Sequence, residues 1–291
     1  MNNQLKNMQE DDWLFEIKPK DNAFRLNLKE LWQYRDLLLL FVKRDVVTQY
    51  KQTILGPLWY LIQPLFTALT FTIIFNRVAG IDTGTVPPFL FNLAGITAWN
   101  YFSNCLNATS DTFKANAGIF GKVYFPRLIM PLSVVVSNLL KFGIQLLIFI
   151  GFYVYFILQG MENTLNGLLI LFPLLIVLMG ILGLSFGMII SSMVTKYRDL
   201  KFLVGFGVSL LMYISAVMYP MALVEEKLPK YAWLVNYNPL ALMIENIRYL
   251  LVNEGSFSLT SIIYVTLFTL FSFLIGLLIF NKTEKSFIDT V

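Results

Sequence analysis

Residues 165–192 read LNGLLILFPLLIVLMGILGLSFGMIISS, and no position in the run is charged. It is longer than the roughly 20 apolar residues that carry an α-helix across the hydrocarbon of a bilayer. A surface helix of a soluble protein would keep a polar face, and this stretch has none. The rest of the chain repeats the signal. Its 291 residues are 57% hydrophobic and only 14% charged, with a mean hydropathy of +0.66. A soluble fold needs a polar shell, and too little polar sequence is present to make one. A transmembrane β-barrel would show strands of about 10 alternating residues instead. The reading is an all-α integral membrane protein.

Six spans are expected, at about 56–75, 88–110, 128–158, 165–192, 202–221 and 259–280. The first opens on Gly56-Pro57, a common helix start. The second carries Asn92, Asn100, Asn104 and Asn107, so it needs protein or water on its polar side rather than lipid all round. Gly183 and Gly187 have the spacing that lets two helices approach closely. Lys141 interrupts the third span. A charge at that depth is costly and often functional, but here the side chain is expected to rise along the helix to the nearby polar boundary.

Outside the spans the chain divides further. Residues 1–29 form a polar tail without the apolar core of a cleavable signal, and 286–291 form a second tail. The domain proper is 30–285. Residues 30–52, ELWQYRDLLLLFVKRDVVTQYKQ, bracket a short apolar run with charges. An amphipathic helix lying along the membrane surface fits them. Residues 222–257 divide at Asn238-Pro239 and read as two short re-entrant helices before span six.

Lys and Arg sort the loops. Nine lie before span one, three (Lys114, Lys122, Arg127) between spans two and three, and three (Lys196, Arg198, Lys201) between spans four and five. Loop 1–2 has only Arg77, loop 3–4 has none, and loop 5–6 balances Lys227, Lys230 and Arg248 with four glutamates. Both termini are therefore expected on the cytoplasmic side. So is AGIFGKVYFPR, residues 117–127, a short basic helix with apolar neighbours.

Little in the sequence offers catalysis. There is no histidine, and the one cysteine, Cys105, lies within a span, so His-dependent chemistry, Cys metal sites and disulfides are excluded. No GxxxxGK[ST] phosphate loop is present, and GIFGKV lacks its spacing. No HExxH, GxSxG or DxD pair appears either. The chain is read as a six-span pore former, not an enzyme, with no cofactor of its own and no nucleic-acid partner.

The order of parts then carries a resemblance. Leu55-Gly56-Pro57-Leu58-Trp59 opens span one, Phe125-Pro126-Arg127 closes the basic segment, Tyr197-Arg198-Asp199 follows span four, and Asn238-Pro239 splits the last loop. In this the chain resembles the membrane subunit of the type-2 ATP-binding-cassette exporters of polysaccharide, which export O-antigen, capsule or teichoic-acid chains. The resemblance spans about residues 30–285. It implies a homodimer bound to two copies of a separate cytosolic ATPase that holds ATP and Mg²⁺. It also implies a lipid-linked polysaccharide as substrate and the bacterial inner membrane as location.

The same resemblance makes 117–127 a coupling helix seated in the ATPase. Ile119, Phe120, Tyr124 and Phe125 would be its apolar contacts, with Lys122 and Arg127 as charged partners. Lys122 and Arg127 have a second reading, as loop cations that only set orientation. Aromatics of spans one and five would line the export channel: Trp59, Tyr60, Phe66, Phe71, Phe75, Phe206, Tyr213 and Tyr219. Sugar rings stack on such faces, although any one of these could face lipid instead. Arg35, Lys43, Arg44 and Lys51 would attract the lipid pyrophosphate, since clustered cations at a membrane surface favour anionic headgroups.

Three rivals remain. A drug or lipid exporter of the same architecture would have a path poorer in aromatics. A transferase for lipid-linked sugars would rely on Asp111, Asp199 or the glutamates of loop 5–6. A secondary carrier would need inverted repeats and carboxylates inside its spans.

Overall fold

A computed structural model of the chain describes residues 28–51, 55–120, 123, 125–162, 167–197 and 199–288. Among these it contains helices and loops and no strand. Two helices come first, α1 (Leu28–Gln33) and α2 (Arg35–Tyr50), meeting at Tyr34. Phe41 and Val42 of α2 are buried while Leu39 and Leu40 are exposed. Apolar residues therefore occupy two sides of α2 rather than the single stripe expected of it.

The first span starts with a 3₁₀ turn at Gly56–Leu58 and continues as α3 (Trp59–Phe71). It then widens into a π-helix over Thr72–Val78. Such widening is rare, and here side chains hold it. Asn92 of α4 (Pro88–Ser110) donates from Nδ2 to Thr72 Oγ1 at 3.1 Å and to Asn76 Oδ1 at 2.8 Å. Asn76 donates in turn to the carbonyl of Ile81.

The asparagines thus explain why α4 is weakly apolar. It is the central helix, with 16 of its 23 residues buried among α3, α7 (Ile129–Leu158), α8 (Phe172–Lys196) and α12 (Pro239–Val252). Between α4 and α7 lie two single-turn helices, α5 (Thr112–Ala115) and α6 (Ala117–Phe120). Asn104 and Asn107 of α4 are exposed, so only part of its polar side is internal.

Helix α8 is squeezed from two sides. A Cβ on Gly183 would stand 2.8 Å from Cys105 Cβ, and one on Gly187 would collide with Thr109. Inside a membrane, lipid is as apolar as leucine, so such close backbone contact is what holds helices together. On its other side α8 meets α13 (Leu259–Ile288), where Gly276 lies against the carbonyl of Ser185.

Helix α9 (Leu200–Ile214) differs from all of these, because none of its residues is buried. After it the chain runs through Ser215–Met218, all buried, with Ala216 at φ +51°. It continues into α10 (Met221–Lys227), α11 (Trp233–Asn236) and α12. Asn238 caps α12, accepting from Leu240 N at 3.0 Å. From the sequence, α12 reads as one of two short re-entrant helices. In the structure 11 of its 14 residues are buried, because it packs on α4, α8 and α13 at once.

Among the described residues, four helical stretches are long and apolar enough to cross a bilayer: Trp59–Val78, Ile129–Leu158, Gly167–Lys196 and Leu259–Thr283. Helix α4 falls short in apolarity. Helix α9, with 15 residues, is only about 22 Å long against a hydrocarbon core of about 30 Å.

Candidate functional site

Side-chain contacts sort the loops into two ends. At one end, Arg44 donates to Asn116 Oδ1 at 3.5 Å, Lys201 pairs with Asp111, and Phe113 stacks on Phe280 with centroids 4.6 Å apart. This end gathers α2, the 111–127 segment, the α8–α9 junction and the last turns of α13. At the other end, Glu254 accepts from Thr85 N and Thr85 Oγ1, each at 2.7 Å. There too, Pro87 and Pro88 face Phe156 and Met161 across a shallow groove. The first end is the one rich in Lys and Arg.

At the basic end, the 117–127 segment is held by an aromatic column. Phe41 of α2 lies 5.8 Å from Phe125, Phe125 lies 5.9 Å from Phe120, and Phe120 lies 6.1 Å from Phe113. The Arg127 guanidinium stacks 5.1 Å over Phe120. Phe120, Phe125 and Arg127 are all buried. On this chain, then, the rings of Phe120 and Phe125 pack into its own core and fix the segment there. The reason is water. At this end an exposed phenyl ring would be wetted, and packing it against Phe113 and Phe280 removes that cost. Ile119 is half-buried and Val123 is exposed. Lys122 and Tyr124 lie outside the described residues, as does Arg198 of the Tyr197-Arg198-Asp199 segment.

The four interface cations are not equivalent. Lys43 and Lys51 are exposed. Arg35 is exposed too, 3.9 Å from Asp36. Arg44 is engaged: it pairs with Asp45 at 2.8 Å and covers Phe41 at 4.8 Å.

The aromatics of α3 and α9 form two outward walls. Trp59, Phe66, Phe206 and Tyr213 are more than half exposed on the single chain. Tyr60, Phe71, Phe75 and Tyr219 are half-buried. Tyr219 donates to the carbonyl of Tyr213 at 2.6 Å and so braces the end of α9. α9 is pinned at both ends and bare between them: Lys201 holds one end, and Asn238 holds the other by donating to Ser215 Oγ at 3.1 Å.

One cluster went unread in the sequence. Arg248 is fully buried, although it had been counted as a loop charge. Its Nη1 donates to Glu245 Oε2 at 2.9 Å. Its Nη2 donates to the carbonyls of Ala216 and Val217, each at 3.0 Å, and its guanidinium lies 3.8 Å over Phe91. Gly95 makes room, since a Cβ there would be 2.9 Å from Arg248 Nη2. The available signal was the i, i+3 spacing of opposite charges within an apolar helix, which puts both on one face.

The chain matches the family model for the ABC-2 type transporter over residues 36–252. It is 32% identical over 259 residues to an O-antigen export system permease protein RfbA of Klebsiella pneumoniae, covering 87% of this chain and 94% of that one. It is 27% identical over 202 residues to the RfbA of Myxococcus xanthus, covering 69% and 74%. It is also 25% identical over 260 residues to the polysialic acid transport protein KpsM of Escherichia coli, covering 85% and 93%. A helical body with several apolar helices long enough to cross a bilayer, and a family match across most of its length, lead to one conclusion: the chain belongs to the ABC-2 type transporter family.

Proposed function

We propose that this chain is the permease half of an ATP-driven exporter that moves a lipid-linked, O-antigen-like polysaccharide across a bacterial inner membrane. The observation that carries this reading is the match to an O-antigen permease along 94% of that relative. The sorting of loops into two ends supports six crossings, with α4 sheltered by protein and α9 completed by a neighbour. On this reading the basic end is cytoplasmic, as are both termini.

Two copies pair through the bare walls of α3 and α9, and two copies of a separate ATPase dock at the basic end. ATP and Mg²⁺ belong to that ATPase. The 117–127 segment receives its stroke through Val123, Lys122 and Tyr124, while Phe120, Phe125 and Arg127 carry the displacement inward. The aromatics of α3 and α9 then line the path. A sliding sugar chain needs many weak stacking contacts rather than one tight site. Helices α10–α12 close the outer end.

The test is export in the source bacterium. Deleting the chain should leave lipid-linked polymer on the inner leaflet, and a phosphate-loop ATPase should co-purify with the tagged protein from mild detergent. Normal surface polymer in the deletion strain, or a preparation free of any ATPase, would overturn the reading.

A further inference from the structure

Lys141 is the thirteenth residue of α7, about 18 Å from its start. Its ammonium was expected to rise toward the basic end. Instead it turns inward and is only 9% exposed. Nζ donates to Asn138 Oδ1 at 3.0 Å and lies 5.5 Å from the ring centroid of Tyr60. Tyr60 is in the first turn of α3, so the cation sits level with the start of the first span. That is where the chain passes from a surface helix to a crossing one.

The surroundings answer the charge only in part: Asp45 of α2 acts on it through space without forming an ion pair. Ser133 and Ser137 spend their hydroxyl protons on carbonyls of α7 itself. Asp45 of α2 is held by Arg44 at 2.8 Å. Among the described residues no carboxylate forms an ion pair with Lys141. Of three N–H donors, one has an acceptor, and that acceptor is neutral. A buried charge is costly unless an opposite charge meets it. Where such a group faces protein rather than lipid, it marks a ligand path. A lysine offers a point charge with rotatable donors, which suits phosphate oxygens. Two further observations bear on the ligand: the site is level with the start of α3, and an aromatic ring forms one wall.

We propose that Lys141, with Asn138 and Tyr60, binds the pyrophosphate of a membrane lipid at the α3–α7 junction. This rests on the reading of the substrate as lipid-linked. It adds a buried site behind the surface cations Lys43 and Lys51, which would gather headgroups without fixing them.

The test uses the full-length chain with its co-expressed ATPase, in nanodiscs of phosphatidylcholine. Binding of a polyprenyl pyrophosphate and of the matching uncharged polyprenol is compared by native mass spectrometry. The unsubstituted protein should prefer the pyrophosphate lipid, Lys141→Met should weaken that preference about tenfold or more, and Lys141→Arg should keep most of it. Methionine keeps the length and removes a buried charge, so folding should survive; Lys141→Gln serves if it does not.

If Lys141→Met keeps the preference, the site is overturned while the lipid-linked reading stands. If the unsubstituted protein shows no preference, both are overturned. Inorganic pyrophosphate added alone separates the sources. Failure to displace the lipid supports a headgroup site. Displacement from the unsubstituted protein would overturn the lipid as the source.

Discussion

Arg248→Met is the most informative single change in the molecule. Methionine approximates the length of arginine and deletes its charge and donors. The variant loses a 2.9 Å bond to Glu245, two 3.0 Å bonds to the carbonyls of Ala216 and Val217, and the stack on Phe91. Glu245, only 3% exposed, is left without its counter-charge. Orphaning one member of a buried pair costs about 3–5 kcal/mol. Removing both charges, in Glu245→Gln with Arg248→Met, abolishes the unpaired charge, keeps an acceptor for the backbone N–H groups of Ser256 and Met221, and leaves two carbonyls short of a donor, at about 1–3 kcal/mol each before relaxation. The double variant should therefore be the more stable of the two.

The protein supplies its own reporter, because Cys105 is its one cysteine and is fully buried. A maleimide dye should label it only through opening. At about 1.4 kcal/mol per factor of ten, Arg248→Met should label roughly a hundred-fold to several thousand-fold faster than the unsubstituted chain. The double variant should recover at least part of that factor. A labelling rate within tenfold for Arg248→Met, with no recovery in the double variant, would refute the view that this pair holds α12 to the 215–218 segment.

Four other outcomes are expected. Gly187→Val should drive a side chain into Thr109 and destabilise the α8–α4 contact by about 1–3 kcal/mol, again read by Cys105 labelling. Phe120→Ala should destabilise by about 3–5 kcal/mol, since the ring is buried among Phe113, Phe125 and Arg127. Val123→Asp, by contrast, should leave stability unchanged and reduce co-purification of the ATPase. In a Cys105→Ser background, a cysteine at Phe206 should cross-link two copies in the membrane, while one at the buried Met243 should not.

The helical architecture was legible because bilayer thickness is a blunt ruler. The run 129–158 has only one place to end, and α7 ends there. Helix α4 matches its expected bounds because Pro88 starts it and Asp111 stops it. The fifth stretch was misjudged in length. Its apolar run continues to Met221, but helix α9 stops at Ile214, because the buried segment 215–218 turns to meet Arg248 and Asn238.

The site was legible only in outline. Charge counting found the basic end, since orientation depends on totals. It could not tell Arg44, already paired, from Lys43, which is exposed. Nor could it tell that Lys141 turns inward, because snorkelling and burial draw on the same flexible stem. Nor could it tell that Phe120 and Phe125 are buried on this chain. An aromatic residue in a short basic loop satisfies an anchor for a partner and a plug for its own core equally well, and only the three-dimensional position of Phe113 and Phe280 decides between them.

The column from Phe41 through Phe125, Phe120 and Phe113 to Phe280 ties α2 to α13, the earliest long helix and the last. Close-packed rings are stiff and pass on a displacement rather than absorbing it. A load applied at Val123 would not flex a loose strap. It would divide between the two ends of the chain, as a keystone divides thrust between the sides of an arch. Softening one ring should then uncouple one side and leave the other loaded.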